Sequence, residues 1–153
     1  MMKTRIEIPA SIQAEHEEIH TELVAATRAP GRVGEAARAL AAILHAHFVR
    51  EEEIALPPLG LLASLARGEP TEDMQGVLAM TDSLKAELPR MLEEHKAIHA
   101  ATTNLGDIAR AEGNAAVAHL AAKLAMHARS EEEVFYPAAI LVGELVRARA
   151  PVP

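Results

Sequence analysis

Residues 15–20 read EHEEIH, and residues 94–99 read EHKAIH. A second pattern follows each of them, HFVREEE at residues 47–53 and HARSEEE at residues 127–133. The later copy lies 79 or 80 residues after the earlier one, as the steps from 16 to 95 and from 47 to 127 show. The sequence is therefore interpreted as an internal duplication in which each half carries one pattern of each kind.

Apolar residues around these patterns recur three and four residues apart, which is typical of amphipathic helices. No stretch alternates with a period of two, so we predict no strand. In the first half, turn and breaker residues predict a helix around residues 12–23, a turn at 28–34, a helix at about 35–56 that stops at Pro57-Pro58, and a short helix at 59–67. A turn at 68–70 then separates the two halves. In the second half, a helix starts between residues 71 and 89 and breaks at 112–114, and a last helix follows at about 114–149 with a kink at Pro137.

The predicted fold class is all-α, an up-down four-helix bundle built from two repeated helical hairpins. The hairpins cover about residues 10–67 and about residues 85–148. The whole chain, residues 1–153, has the length of one ordinary domain, and its core is expected at about residues 10–148.

The composition excludes several classes of protein. The chain has no cysteine, which excludes disulfides, zinc fingers and iron–sulfur clusters. Its net charge is −7 and it has only two Phe, one Tyr and no Trp, which argues against a nucleic acid as partner. No uninterrupted apolar run is long enough to span a membrane. Residues 1–11 lack the apolar centre of a secretory signal, which favours the cytoplasm.

The histidines and glutamates of the repeated patterns predict a metal site. Residues four apart lie on one helix face, so both members of each pair can point into the bundle. Burying so many polar groups without a partner would be costly, and two divalent cations would satisfy them together. Nitrogen and oxygen ligands without sulfur suit iron, manganese or zinc, and two bridging glutamates would hold the ions about 3.5–4 Å apart. The candidate ligands are His16, His20, His47, Glu51, His95, His99, His127 and Glu131.

Each pattern alone has a simpler interpretation. A single histidine on an apolar stripe is usually a core residue, and an H-x-x-x-E pair on a helix is usually a solvated pair. The repetition of both patterns in register favours the metal site instead. The third glutamates of the two runs, Glu53 and Glu133, are expected in solvent, and His45 and His119, which have no counterpart in the other half, are expected at the surface.

Four stretches together resemble the hemerythrin-like HHE cation-binding domain family: EHEEIH at 15–20, HFVREE at 47–52, LPRMLEEH at 88–95 and HARSEEEVFYP at 127–137. The resemblance covers about residues 10–140. It implies an up-down bundle around a non-haem di-iron centre with an oxo or hydroxo bridge, and zinc and manganese suit the same ligands. It further implies that His16 and His47 serve one iron, that His95 and His127 serve the other, and that Glu51 and Glu131 bridge them.

The sequence departs from the oxygen-carrying members of that family. Met91 stands where they have a further histidine, and an H-x-x-x-E pattern replaces their H-x-x-x-x-D pattern, so reversible oxygen carriage is not carried over. Instead, His20 and His99 follow one turn later, and we predict that both are at least partly engaged, which would close the site. Glu15 and Glu94 are expected to accept the free ring N–H of a ligand histidine on a neighbouring helix.

The function predicted from these features is a non-haem di-iron protein whose partner is a small molecule such as O₂, peroxide or NO. One alternative is iron storage, buffering or repair at a closed site. A second is a zinc hydrolase that uses the H-E-x-x-H pattern of His16, Glu17 and His20. A third is a helical adaptor without metal. The sequence leaves open whether the protein is an enzyme and which oligomeric state it adopts.

Overall fold

The computed structural model describes residues 6–70 and 72–149. Residues 1–5, 71 and 150–153, which include both ends of the predicted domain, lie outside the described residues. The described helices are α1 (Ala10–Thr27), α2 (Gly31–Ile54), α3 (Leu62–Ala66), α4 (Met74–Ala111), α5 (Ala115–Ser130) and α6 (Tyr136–Arg149). A 3-10 turn (Pro57–Leu61) precedes α3, and a π-helical turn (Glu131–Phe135) joins α5 to α6.

The all-α fold class is confirmed, and the described residues contain no strand. The long helices form a ring in which α1 packs against α2, α2 against α4, α4 against α5, and α5 against α1. The arm made of α5, the π-helical turn and α6 extends beyond the site and packs along α4. Within the described ranges, no helix is both long enough and apolar enough to cross a membrane.

Local side chains explain where the helices begin. The Asp73 carboxylate accepts a hydrogen bond from the backbone N–H of Gly76 at 3.0 Å, so α4 starts at Met74 and runs on through Pro89. The Asn114 side chain accepts from the N–H of Val117 at 3.1 Å and starts α5 in the same way. The turn predicted at residues 28–34 is shorter than expected, because α2 already begins directly after Pro30.

Two apolar layers enclose a polar level of the bundle. On one side, Ile19, Leu44, Ile98 and Leu124 belong to a single buried cluster of aliphatic side chains. On the other side, a second cluster contains Ile54, Leu56, Leu84, Met91 and Tyr136. The four buried histidines of the repeated patterns, His16, His47, His95 and His127, lie between these clusters, so the apolar layers separate them from water at both ends.

The helices widen at the same point of both halves. The carbonyl of Glu131 accepts a hydrogen bond from the N–H of Tyr136, five residues later, which makes the π-helical turn. The carbonyl of Glu51 likewise accepts from the N–H of Leu56 at 3.0 Å. A proline follows each time, and because proline has no N–H, the helical ladder is interrupted there. The irregularity predicted at Pro137 is therefore found one turn earlier.

Replacing Gly143 by alanine tests the packing of α6 on α4. A Cβ atom at Gly143 would lie 2.2 Å from Oγ1 and 2.6 Å from Cβ of Thr81, so the two helices would have to separate. We expect Gly143→Ala to lower the free energy of unfolding by about 1–3 kcal/mol, measured by urea denaturation. The control is Glu144→Ala, at an exposed position of the same helix. Equal stability of the two variants would contradict this packing.

Candidate metal centre

Six of the eight predicted ligands meet at one level of the bundle. They come from all four helical segments of the ring, and each side chain is between 0 and 3 % exposed. α1 and α4 contribute one histidine each, whereas α2 and the α5 arm contribute a histidine and a glutamate each. The six residues are His16, His47, Glu51, His95, His127 and Glu131.

These side chains form two groups that share both carboxylates. In the first group, the Nε2 atoms of His47 and His95 lie 2.9 Å apart. In the second, the Nε2 atoms of His16 and His127 lie 3.0 Å apart. Within each group, one ligand atom from every member lies within 4.8 Å of the others. Two ion positions side by side therefore fit the geometry of these donors.

The two glutamates face both groups with different oxygens. Oε1 of Glu51 lies 2.5 Å from Nε2 of His47, whereas its Oε2 lies 3.9 Å from Nε2 of His16. Oε1 of Glu131 lies 3.4 Å from Nε2 of His95, whereas its Oε2 lies 3.3 Å from Nε2 of His127. This is the arrangement that a carboxylate needs to bridge two cations.

The pairing of histidines differs from the one implied by the family resemblance. His16 was expected with His47, and His95 with His127, but the structure pairs His16 with His127 and His47 with His95. Each pair joins adjacent helices of different hairpins, α1 with α5 and α2 with α4. The hairpins therefore complete each other's groups, and neither hairpin contains a full group.

The structure does not bring His20 and His99 to this site. Both are exposed and belong to neither group. The inward position one turn after His16 is taken by Ile19, and the equivalent position after His95 by Ile98. Residues three and four positions after a histidine lie on opposite sides of it around the helix, and in both helices the isoleucine side faces the core while the second histidine faces solvent. His16 and Glu17 therefore do not form an H-E-x-x-H site with His20.

Four glutamates lie outside the groups and contact the second nitrogen of each histidine. Glu15 and Glu94 were predicted in this role, and they lie 2.7 Å from Nδ1 of His127 and 3.3 Å from Nδ1 of His47. Glu132 lies 2.9 Å from Nδ1 of His95, and Glu52 lies 3.4 Å from Nδ1 of His16. Sequence reasoning missed these last two, although they match each other at the 80-residue offset of the repeat.

The outer carboxylates determine which ring nitrogen carries the hydrogen. An ionised carboxylate only accepts hydrogen bonds, so each Nδ1 must donate to it. In a neutral ring the lone pair then lies on Nε2, which faces the centre of the site. The centre is thus lined by four ring acceptors and by the acceptor oxygens of Glu51 and Glu131. Atoms of this kind repel one another unless a cation or a proton lies between them.

Unsatisfied oxygens support the same interpretation. Within the described residues, both carboxylate oxygens of Glu51 and Oε2 of Glu131 are buried and have no hydrogen-bond partner of suitable geometry. An ionised carboxylate buried without a partner is strongly destabilising. The donor set, two imidazoles and two shared carboxylates per group, fits a pair of divalent transition-metal ions.

Burial and neighbouring charges shift the pKa values of the site in different directions. Burial lowers the pKa of His95 and of His127, and their hydrogen bonds to Glu132 and Glu15 oppose that shift only in part. Burial also acts to lower the pKa of His47, but the carboxylates of Glu51 and Glu94 outweigh it and leave that pKa raised. The carboxylates thus favour a positive charge beside Glu51 even though burial opposes it.

Tyr136 is a site residue that sequence reasoning missed. Its hydroxyl oxygen lies 3.1 Å from Nε2 of His95 and 3.3 Å from Nε2 of His47, and its side chain is fully buried. Burial raises the pKa of its phenol, and so does the charge of Glu51. The sequence offered one signal, since this is the only tyrosine of the chain and it lies five residues after Glu131.

Two surface grooves reach the histidines from outside. A groove of about 720 Å³ between α1 and α2 includes His16 and the apolar side chains of Leu23, Leu44 and Phe48 in its lining. The ring of Phe48 stacks on that of His16, with 4.3 Å between the centroids. A second groove, of about 640 Å³ between α4 and α5, includes His95 in its lining.

Comparison with protein families identifies one match. The family model described as the hemerythrin HHE cation-binding domain matches residues 7–139, a span that contains all six buried candidate ligands and the four outer glutamates. Comparison with curated proteins and with solved structures found no match.

The outer glutamates predict a measurable effect on metal affinity. Glu132→Ala removes the acceptor that orients His95, and we expect metal to bind about 10–100-fold more weakly, since such outer contacts typically contribute that much. Affinity is measured by competition with a chelator. The matched control is Glu133→Ala, because Glu133 is exposed and its carboxylate contacts Arg129 at 2.9 Å instead. Equal losses in the two variants would contradict the orienting role.

Proposed function

This chain belongs to the hemerythrin HHE cation-binding domain family, and from that premise we propose that it holds two iron ions and binds or reacts with a small molecule such as O₂, peroxide or NO. The observation that carries the proposal is the pair of His/Glu groups that share two buried carboxylates. The proposed ligands are the six buried residues: His16, His47, Glu51, His95, His127 and Glu131.

The need for cations follows from the chemistry of the centre. Ring nitrogens and carboxylate oxygens converge there, and among the described residues Tyr136 supplies the one hydroxyl that contacts the ring nitrogens. A metal-free helical adaptor would have to keep these acceptors together at a considerable cost in stability. Two cations turn the same contacts into favourable ones, which supports the metal-binding proposal over the adaptor.

The choice of iron rests on ligand type and on the proposed partners. Imidazole and carboxylate ligands suit iron, manganese and zinc alike. Reaction with O₂, peroxide or NO requires a metal that changes oxidation state, which zinc does not. Iron bound here would supply redox chemistry and an exchangeable coordination position for the small molecule.

The protein itself supplies orientation and shielding. The outer glutamates hold each imidazole in one tautomer and one direction. The apolar clusters above and below exclude water from the centre. His20 and His99, the two residues that would have closed the site, are exposed. This placement favours an open, reactive site over storage, buffering or repair at a closed one. A cytoplasmic location remains part of the proposal.

The first test is the metal content of the protein and of histidine variants. After expression with iron, we expect about two iron ions per chain, one for each group. His47→Ala and His127→Ala should each lose most of the bound iron, because each removes a ligand from one group and leaves the shared carboxylates unbalanced. Iron is measured by elemental analysis, and the visible spectrum is recorded before and after exposure to O₂, peroxide or NO.

The controls are His45→Ala and His119→Ala, which change exposed histidines of the same helices and should retain both ions. Two ions retained in the His47→Ala variant would refute the ligand assignment. Two ions with a spectrum that none of the small molecules changes would support a closed storage site. Absence of any transition metal would favour the adaptor.

Acidification should release the metal. Protons compete with metal for the ring nitrogens. The lowered pKa of His95 and of His127 means that these rings stay neutral until the pH falls below the ordinary value of about 6.5, whereas His47, with its raised pKa, takes up a proton sooner. We therefore expect metal per chain to stay constant between about pH 7 and 8 and to fall below about pH 6. Full metal content after dialysis at about pH 4 would contradict histidine ligation.

A further inference from the structure

Tyr136 stands at one of the two groups only. Its hydroxyl oxygen and the Nε2 atoms of His47 and His95 form a triangle with sides of 2.9, 3.1 and 3.3 Å. Neighbouring ligands of a six-coordinate ion with bonds of about 2.1 Å lie about 3 Å apart. The three atoms are therefore spaced as three adjacent ligands of one ion.

The other half of the chain has no oxygen at the corresponding place. Leu56 matches Tyr136 in the repeat, and it is also fully buried. Both residues follow a bridging glutamate by five positions and donate their N–H to its carbonyl, and both precede a proline. The two halves share this backbone hydrogen bond, whereas the side chains at the matched position differ.

A bound metal also changes what the hydroxyl can contact. Each Nε2 atom has one lone pair, which can accept one hydrogen bond. Once that lone pair binds a metal ion, it can no longer accept a hydrogen bond from the hydroxyl. The hydroxyl is buried against these two nitrogens and beside the carboxylate of Glu51, so an ion held by His47 and His95 would lie next to its oxygen.

We propose that the hydroxyl oxygen of Tyr136 is a ligand of the ion held by His47 and His95, so that the two metal positions are unequal. This inference rests on the proposed di-metal function. The O–H bond breaks as the metal–oxygen bond forms, and the proton leaves to solvent. The ion held by His16 and His127 then keeps the exchangeable position, and the small molecule binds there.

A surface groove leads to each of the two groups. The groove beside His16 is lined by apolar side chains, among them Leu44 and Phe48, and by charged ones, Glu17 and Glu52. The groove beside His95 contains the charged residues Lys96, Arg129 and Glu132. The groove beside His16 leads to the group without the phenol, so a small molecule can approach the exchangeable position from that side.

The test uses the full chain loaded with ferric iron, and its readout is spectroscopic. A phenolate bound to ferric iron gives a visible charge-transfer band, and excitation in that band enhances ring vibrations in the resonance Raman spectrum. Because the chain has one tyrosine, growth on ring-deuterated tyrosine labels Tyr136 alone. We expect the band and isotope-sensitive ring modes in the wild-type protein, and complete loss of both in Tyr136→Phe with two ions per chain retained.

A matched control moves the phenol by one residue. The double variant Phe135→Tyr with Tyr136→Phe still has one tyrosine per chain, at a half-buried position that packs against the second apolar cluster. It should bind two ions and show no phenolate modes. Phenolate modes of the same strength in this variant would mean that the signal does not require position 136, and would overturn the inference.

The outcomes separate the two proposals. Two ions per chain with no phenolate signal in the wild-type protein would overturn the role of Tyr136 and leave the di-metal function standing. Absence of bound metal would overturn both. Two ions with phenolate modes that vanish in Tyr136→Phe would establish the unequal pair.

Discussion

The rest of the site depends on the sharing of Glu51 and Glu131 between two pairs of histidines. Each carboxylate directs one oxygen to one pair and the other oxygen to the second pair, in the closed interior of a helical bundle. Neither glutamate has a way to reach water, so the bundle must balance their charge internally. The other polar contacts of the site are made to the histidines around these two carboxylates. The four outer carboxylates, for example, each contact one of those histidines.

The fold supplies this arrangement by pairing helices from different hairpins. Because α2 lies beside α4 and α5 beside α1, each histidine pair contains one member from each half of the chain. One hairpin alone would present two histidines and one glutamate on an apolar face. The complete set of donors exists only when both halves have packed, so the candidate metal site is complete only in the folded bundle.

The sequence was sufficient for the helices and for the buried cluster of four histidines and two glutamates, because both follow from helical spacing and from the repeat. It was insufficient where direction around a helix matters. His20 and Ile19 differ by one position, and spacing alone assigned both to the inner face, whereas only Ile19 is buried. The histidine pairing depends on which helices become neighbours, and that is a property of the tertiary fold.

Other features were missed for local reasons. Glu52 and Glu132 were overlooked because a run of three glutamates is typical of a solvated helix face. Only the packed bundle shows that the middle glutamate of each run contacts a histidine on a neighbouring helix. Without knowledge of the π-helical turn, Tyr136 is interpreted as an ordinary core aromatic.

The outer carboxylates also have an electrostatic consequence. Together with the bridging pair they surround the centre with six negative charges, which favours the more highly charged oxidation state of any bound ions and so lowers their reduction potential. Because the outer four are half in solvent, salt screens their share of this field, while the inner two keep theirs at any ionic strength.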